Sequence, residues 1–126
     1  MKKTKMFKKN YEFKNVLSKG KYYSGRYIEV FIKPNTSISQ NLLGIAISVK
    51  IGKAVKRNHI KRLIRENYKE NENKIKIGNS IVFLWKKKAD TRNATFENIS
   101  KDMEFIFDKA NIFLEEKEWK NYLYGL

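Results

Sequence analysis

The sequence predicts an α–β sandwich, of α+β or α/β type, in which helices pack on one sheet. Three observations predict it. Two short apolar runs rich in β-branched residues, 42–49 and 80–85, read as buried strands. Three segments, beginning near residues 10, 53 and 95, space their apolar residues with the helical period. The resulting order of helix, strands, basic helix, strand and helix needs a sheet with helices laid against it.

Residues 10–17, NYEFKNVL, set Phe13, Val16 and Leu17 at i, i+3 and i+4, with Asn10 as N-cap and Gly20 as the stop. Residues 21–32 then alternate aromatic or aliphatic with polar side chains. Tyr27, Glu29 and Phe31 share one strand face, Ile28, Val30 and Ile32 the other, and Pro34 ends the strand. The run PNTSISQN is a polar loop, and LLGIAISV is the first buried strand. From 53 to 69 the period turns helical. Ile60, Leu63 and Ile64 form an apolar stripe; Arg57, Lys61 and Arg65 form an i, i+4, i+8 line with Asn58 and Arg62 beside it. NENKIKIGNS is a turn-rich connection, and SIVFLW is the second buried strand, followed by three lysines. From about Thr95, Phe96, Ile99, Met103, Ile106 and Ala110 make a further helical stripe. Asp102, Glu104 and Asp108 alternate there with Lys101 and Lys109, as solvated i, i+4 pairs do. The two buried strands flank the basic helix as a parallel β-α-β crossover, right-handed by default. One domain spans residues 1–126, with its core over about 5–110 and a tail over 111–126.

Charge narrows the function. The 126 residues hold 28 Lys+Arg against 13 Asp+Glu, a net charge of +15. All of it lies in residues 1–69, whose only acids are Glu12, Glu29 and Glu66; residues 70–126 are neutral overall. A Lys-, Asn- and Ile-rich composition accounts for much of the lysine excess as ordinary solvated surface. It does not account for arginine. Of five Arg, three (Arg57, Arg62, Arg65) fall within nine residues, and Arg is the side chain suited to bidentate phosphate contact. The partner class is a polyanion, with nucleic acid ahead of a membrane surface.

Other classes fall away. No cysteine removes disulfides, thiolate zinc sites and a cysteine nucleophile. The single histidine, His59, sits among cations with no carboxylate to orient it. No apolar run reaches membrane-span length, and the basic N-terminus lacks the apolar core of a secretory signal, so a soluble cytoplasmic protein is expected. IGKAVKRN contains Gly52 but not the G-x-x-x-x-G-K-S/T spacing of a phosphate loop. No metal-ligand spacing appears, so no catalytic residue and no protein-bound metal is expected. Phe13, Tyr22, Tyr23, Tyr27 and Phe31 lie in the cationic half. Each alone reads as core; Tyr27 and Phe31 with Phe13 would line a groove suited to single-stranded nucleic acid.

Residues 50–66, KIGKAVKRNHIKRLIRE, resemble the signature of the bacterial ribonuclease P protein family, an Arg-Asn-Arg helix followed by I-K-R-x-x-R. Arg57, Asn58, Ile60, Lys61, Arg62 and Arg65 match it. Phe13, Val16 and Gly20 fit the family's first helix and turn, residues 26–31 its cleft strand, and residues 43–48 the strand before the motif. The resemblance covers about residues 5–110. It implies an α+β sandwich like the second domain of ribosomal protein S5, with a left-handed β-α-β crossover in place of the default hand. It also implies the protein subunit of an endoribonuclease that removes the 5′ leader of precursor transfer RNA. The catalyst there is a large RNA subunit using Mg²⁺; this chain would be the subunit's partner, without a small-molecule substrate or a membrane.

By position, Lys53, Arg57, Asn58, His59, Lys61, Arg62 and Arg65 would bind the catalytic RNA. Phe13, Leu17, Phe31 and Lys50, with Lys86 and Lys87 as weaker candidates, would line the leader cleft. Three positions depart from the pattern. His59 replaces the second Arg of the motif and carries no fixed charge. Leu17 replaces a ring, and Phe31 replaces a common Tyr. A ribosomal-type or RNA-chaperone-like basic protein shares the charge and the fold; only the partner separates the two.

Overall fold

A computed structural model describes residues 1–35 and 38–115. Strand β1 (Thr4–Met6) leads into helix α1 (Asn10–Lys19). β2 (Lys21–Ser24), β3 (Ile28–Pro34) and β4 (Asn41–Ala46) follow. Helix α2 (Ala54–Asn71) then crosses to β5 (Asn79–Trp85), and α3 (Phe96–Lys109) comes last. The five strands form one mixed sheet in the order β1-β4-β5-β3-β2. The expected parallel crossover is present: β4 runs parallel to β5, Leu42 opposite Ser80 and Ala46 opposite Leu84, with α2 between them in the chain. β3 is antiparallel to both β5 and β2.

The central strand explains its own sequence. Every residue of β5 except Leu84 is buried, so both faces must be apolar and no alternation is visible. On one face Ile28, Val30, Ile32, Leu43, Ile81, Phe83 and Trp85 join Ile60, Leu63, Ile64 and Tyr68 of α2 and Ile99, Met103, Ile106 and Phe107 of α3 in the main core. α1 lies on the opposite face, where its Val16 and the strand's Val82 are buried. The sheet thus separates the cationic helix from the first helix.

The structure corrects the reading of residues 21–32. They form a hairpin, and the turn is built around Gly25. A Cβ there would sit 2.6 Å from the carboxyl carbon of Asp102 on α3. That carboxylate accepts the backbone N–H groups of Arg26, Tyr27 and Ile28 at 2.9, 2.7 and 3.1 Å. Asp102 is therefore buried and bonded across the fold, where the helix periodicity made it a solvated acid. Tyr27 moves with this change. It stacks on Trp85, centroids 6.0 Å apart at 11°, against the main core, and does not share the Phe31 face. β1 is an element the sequence did not announce. It has three residues, two of them exposed, beside β4. β4 ends at Ala46, three residues early, because Val49–Ile51 turn into a 3₁₀ segment capped by Ser48 Oγ. Of the tail expected over 111–126, Ile112 is buried in the core and Phe113 bridges Ile75, while residues 116–126 lie outside the described residues.

Candidate nucleic-acid interface

α2 buries Ile60, Leu63, Ile64, Asn67 and Tyr68. Asn67 Nδ2 donates to the carbonyl of Phe96, which sets α3 on one flank. Tyr68 Oη lies 2.7 Å from Thr4 Oγ1 and accepts from Asn41 Nδ2 at 3.3 Å, which sets β1 and β4 on the other. At 100° per residue, Arg57, Lys61 and Arg65 fall on the flank away from α3, half-buried, and Asn58, His59 and Arg62 on the outermost, exposed surface. The seven residues assigned to RNA contact by sequence are thus brought onto one end and two adjoining faces of a single helix.

Among the described residues none of these cations has a carboxylate within ion-pairing distance. An exposed ion pair joins Arg92 to Asp90 at 2.8 Å, and Lys56 in the first turn of α2 also acts on that carboxylate through space. That exposed pair holds the Asp90 carboxyl down at about 2, through the hydrogen bonds from the Arg92 side chain and backbone. On α2, Arg57 Nε is buried with no hydrogen-bond partner, and a half-desolvated guanidinium binds an anion more strongly than a hydrated one. Arg62 donates to His59 Nδ1 at 3.3 Å. The first turn contains no acid. Lys53, Lys56 and Arg57 instead crowd the positive end of the helix dipole, an arrangement that costs stability and concentrates positive potential.

Three of the predicted cleft residues, Phe13, Leu17 and Phe31, lie on the opposite sheet face. Phe13 and Leu17 are half-buried on α1, beside its buried Val16. Phe13 sits over Gly44 of β4, where a Cβ would meet the rings of Phe7 at 2.8 Å and Phe13 at 3.0 Å; only glycine lets both rings reach the sheet. Phe31 is half-buried on the same side of β3. Its ring partner is Tyr22 of β2, centroids 5.2 Å apart, and the Tyr22 hydroxyl donates to Glu29. That bond pushes the Tyr22 phenol above its ordinary value. Lys50, Lys86 and Lys87 sit apart from these rings in sequence, just past the C-terminal ends of the parallel strands β4 and β5. The Lys86 N–H is fixed to the Tyr27 carbonyl at 2.9 Å.

Sequence reasoning missed two contributors. Tyr22 takes the place it gave to Tyr27, because the turn at Gly25 shifts the register so that Tyr22 pairs with Phe31. Phe7 follows a strand too short to register as one. A groove of about 520 Å³ on the other flank of α1, bordered by Tyr11, Asn15, Lys33 and Leu42, contains none of Phe13, Leu17 and Phe31. No helix among the described residues is long and apolar enough to cross a membrane. No three His, Cys, Asp or Glu side chains among them gather to hold a metal ion.

The chain and its fold resemble known proteins. The family model described as Ribonuclease P matches residues 1–111. The ribonuclease P protein component of Clostridioides difficile is 36% identical over 111 residues, 87% of this chain and 95% of the relative. That of Bacillus pumilus is 34% identical over 116 residues, 92% and 96% of the two chains. Among solved structures, the Staphylococcus aureus RNase P protein aligns at a TM-score of 0.76 and 32% identity, over 86% of this chain and 97% of that one. The Thermotoga maritima RNase P protein aligns at 0.73 and 25% identity, over 83% and 96%.

Proposed function

The chain belongs to the ribonuclease P protein family, a component of an endoribonuclease ribonucleoprotein, and from that premise we propose how it divides its work between the two faces of its sheet. α2 clamps the RNA subunit through Lys53, Arg57, Asn58, His59, Lys61, Arg62 and Arg65. The face under α1 holds the 5′ leader of precursor transfer RNA, with Phe13, Leu17 and Phe31 against bases or riboses and Lys50, Lys86 and Lys87 on phosphates. Hydrolysis belongs to the RNA subunit, with Mg²⁺ held there.

The observation that carries this reading is the cationic surface of α2, with Lys53 at its N-cap and Arg57, Lys61, Arg62 and Arg65 at helical pitch, none ion-paired to a carboxylate among the described residues. A folded protein that wanted only solubility would interleave both signs, as α3 does. The RNA subunit and the leader repel each other as polyanions. A protein of +15 placed between them lowers that repulsion and favours substrate and Mg²⁺ nearby. Stacking and phosphate contact suit leaders of varied sequence better than base-edge readout does.

Reconstitution tests it. The purified protein alone should leave precursor transfer RNA intact. Protein plus the cognate RNA subunit at low Mg²⁺ should cleave at the 5′ end of the mature sequence. Cleavage by the protein alone, or recovery of ribosomal RNA in place of one structured RNA in a pull-down from cells, would overturn the reading.

A further inference from the structure

The outer face of α3 holds a large apolar side chain that the main core does not take up. Phe105 is 52% exposed, although α3 already buries Ile99, Met103, Ile106 and Phe107. It belongs to a different stripe: Lys101, Glu104, Phe105 and Asp108 stand at i, i+3, i+4 and i+7, and with Phe113 they border an open groove of about 540 Å³. A lone exposed ring needs no explanation. Here a second ring borders the same groove. Phe113 is half-buried, packed edge-on to Phe107 with centroids 5.9 Å apart, and its backbone bridges that of Ile75. Lys109 Nζ lies 5.5 Å from the centre of the Phe105 ring, whereas Glu104 and Asp108 have no ion-pair partner among the described residues.

The chain itself carries a matching stripe. Phe113 borders the groove and the next residue, Leu114, donates its N–H to the Lys74 carbonyl at 2.7 Å, so the sequence beyond residue 115 starts from the groove's edge. In that sequence, EKEWKNYLYGL, residues Trp119, Tyr122, Leu123 and Leu126 recur at i, i+3, i+4 and i+7, the spacing of one apolar helix face, with Lys120 bordering it. These residues lie beyond the family match, which ends at residue 111. The two stripes would run the same length along a helix axis, about 10 Å each. The chain from Phe113 to Trp119 can span about 20 Å, and packed helices sit only about 8–10 Å apart. A tether this short holds the tail near the groove at an effective concentration on the order of millimolar, an advantage that a separate partner lacks.

We propose that residues 116–126 dock as an amphipathic segment along the outer face of α3, with Trp119 and Tyr122 against Phe105 and Phe113 and Lys120 toward Glu104 and Asp108. The occupant of the groove is thus the chain's own tail, and a second copy of the protein is the competing occupant. The docking is a property of the free protein and does not depend on RNA binding.

Hydrogen–deuterium exchange of the full-length protein tests it. Backbone amides over 117–126 should exchange about 10- to 100-fold more slowly than those of a free peptide of the same sequence. Phe105→Ala and Trp119→Ala should each bring them to within about 3-fold of the peptide. Amides of β5 should keep wild-type protection in both variants, which separates undocking from misfolding; should Phe105→Ala disturb β5, Trp119→Ala decides. Protection of the tail should be the same at about 1 and 100 μM protein, because the contact lies within one chain. Tail amides that exchange like the peptide in wild type, protection that survives both substitutions, or protection that grows with protein concentration, as a second copy would give, overturns the proposal.

Discussion

Asp102 shows how one carboxylate can decide the geometry of a surface far from it in sequence. It lies on α3, is buried, and terminates three consecutive backbone N–H groups of the β2–β3 turn. Removing it leaves donors facing a closed space, and bonds to a charged acceptor are the strong kind. Asp102→Ala should therefore cost about 2–4 kcal/mol in urea unfolding, and Asp102→Asn less, because one oxygen still accepts. Helix periodicity had placed this residue among acids paired with lysines. Periodicity sees only residues three or four apart; it has no access to partners 74 to 76 positions away. By contrast, Phe13, Val16 and Leu17 were legible because their spacing alone puts them on one helix face, and the structure leaves Phe13 and Leu17 half-open beside the buried Val16.

At the scale of the element, α2 was the most readable part of the chain, expected over 53–69 and found at Ala54–Asn71. Its stripe and its cationic lines have a period that no strand can mimic. β1 was unreadable because a three-residue edge strand acquires its identity from the strand it joins. The tie between the two is Tyr68, fully buried, with its hydroxyl shared by Thr4 of β1 and Asn41 of β4. Tyr68→Phe should destabilise by about 1 kcal/mol and more than that if Thr4 Oγ1 is left without a partner. Burial pushes the Tyr68 phenol above its ordinary value of 10.0. A raised folded value means the folded state keeps its proton longer than the unfolded chain. The stabilisation from the neutral phenol is thus complete below pH 10 and lost as pH rises through the raised value. Chemical denaturation from pH 8 to 11 should show a falling limb in wild type that is shallower in Tyr68→Phe.

For the whole molecule, the uneven charge in the sequence becomes a division of labour between regions. The net +15 of residues 1–69 is carried by the elements from β1 through most of α2, whereas residues 70–126, which include β5 and α3, are neutral overall. Five α2 cations in contact with RNA phosphates (Lys53, Arg57, Lys61, Arg62 and Arg65) should give binding a log–log salt slope of about −3.5 to −4.5. A slope near −1 would mean that the surface stays hydrated in the complex. The fold class and the parallel crossover were legible because buried central strands and amphipathic helices leave strong local patterns. The hairpin was not, since residues 21–32 read as one strand, and only the approach of Asp102 shows why a glycine stands at 25, where the turn changes which parity faces α1.

The absent side chain of Gly44 sets a depth. With no methyl group at that point on β4, the rings of Phe7 and Phe13 settle directly on the strand backbone, and whatever lies along α1 rests correspondingly low. A single added carbon would raise both rings together, turning a trough into a shelf without deleting any aromatic surface. The smallest residue on the sheet thereby governs how much of a guest is shielded from water.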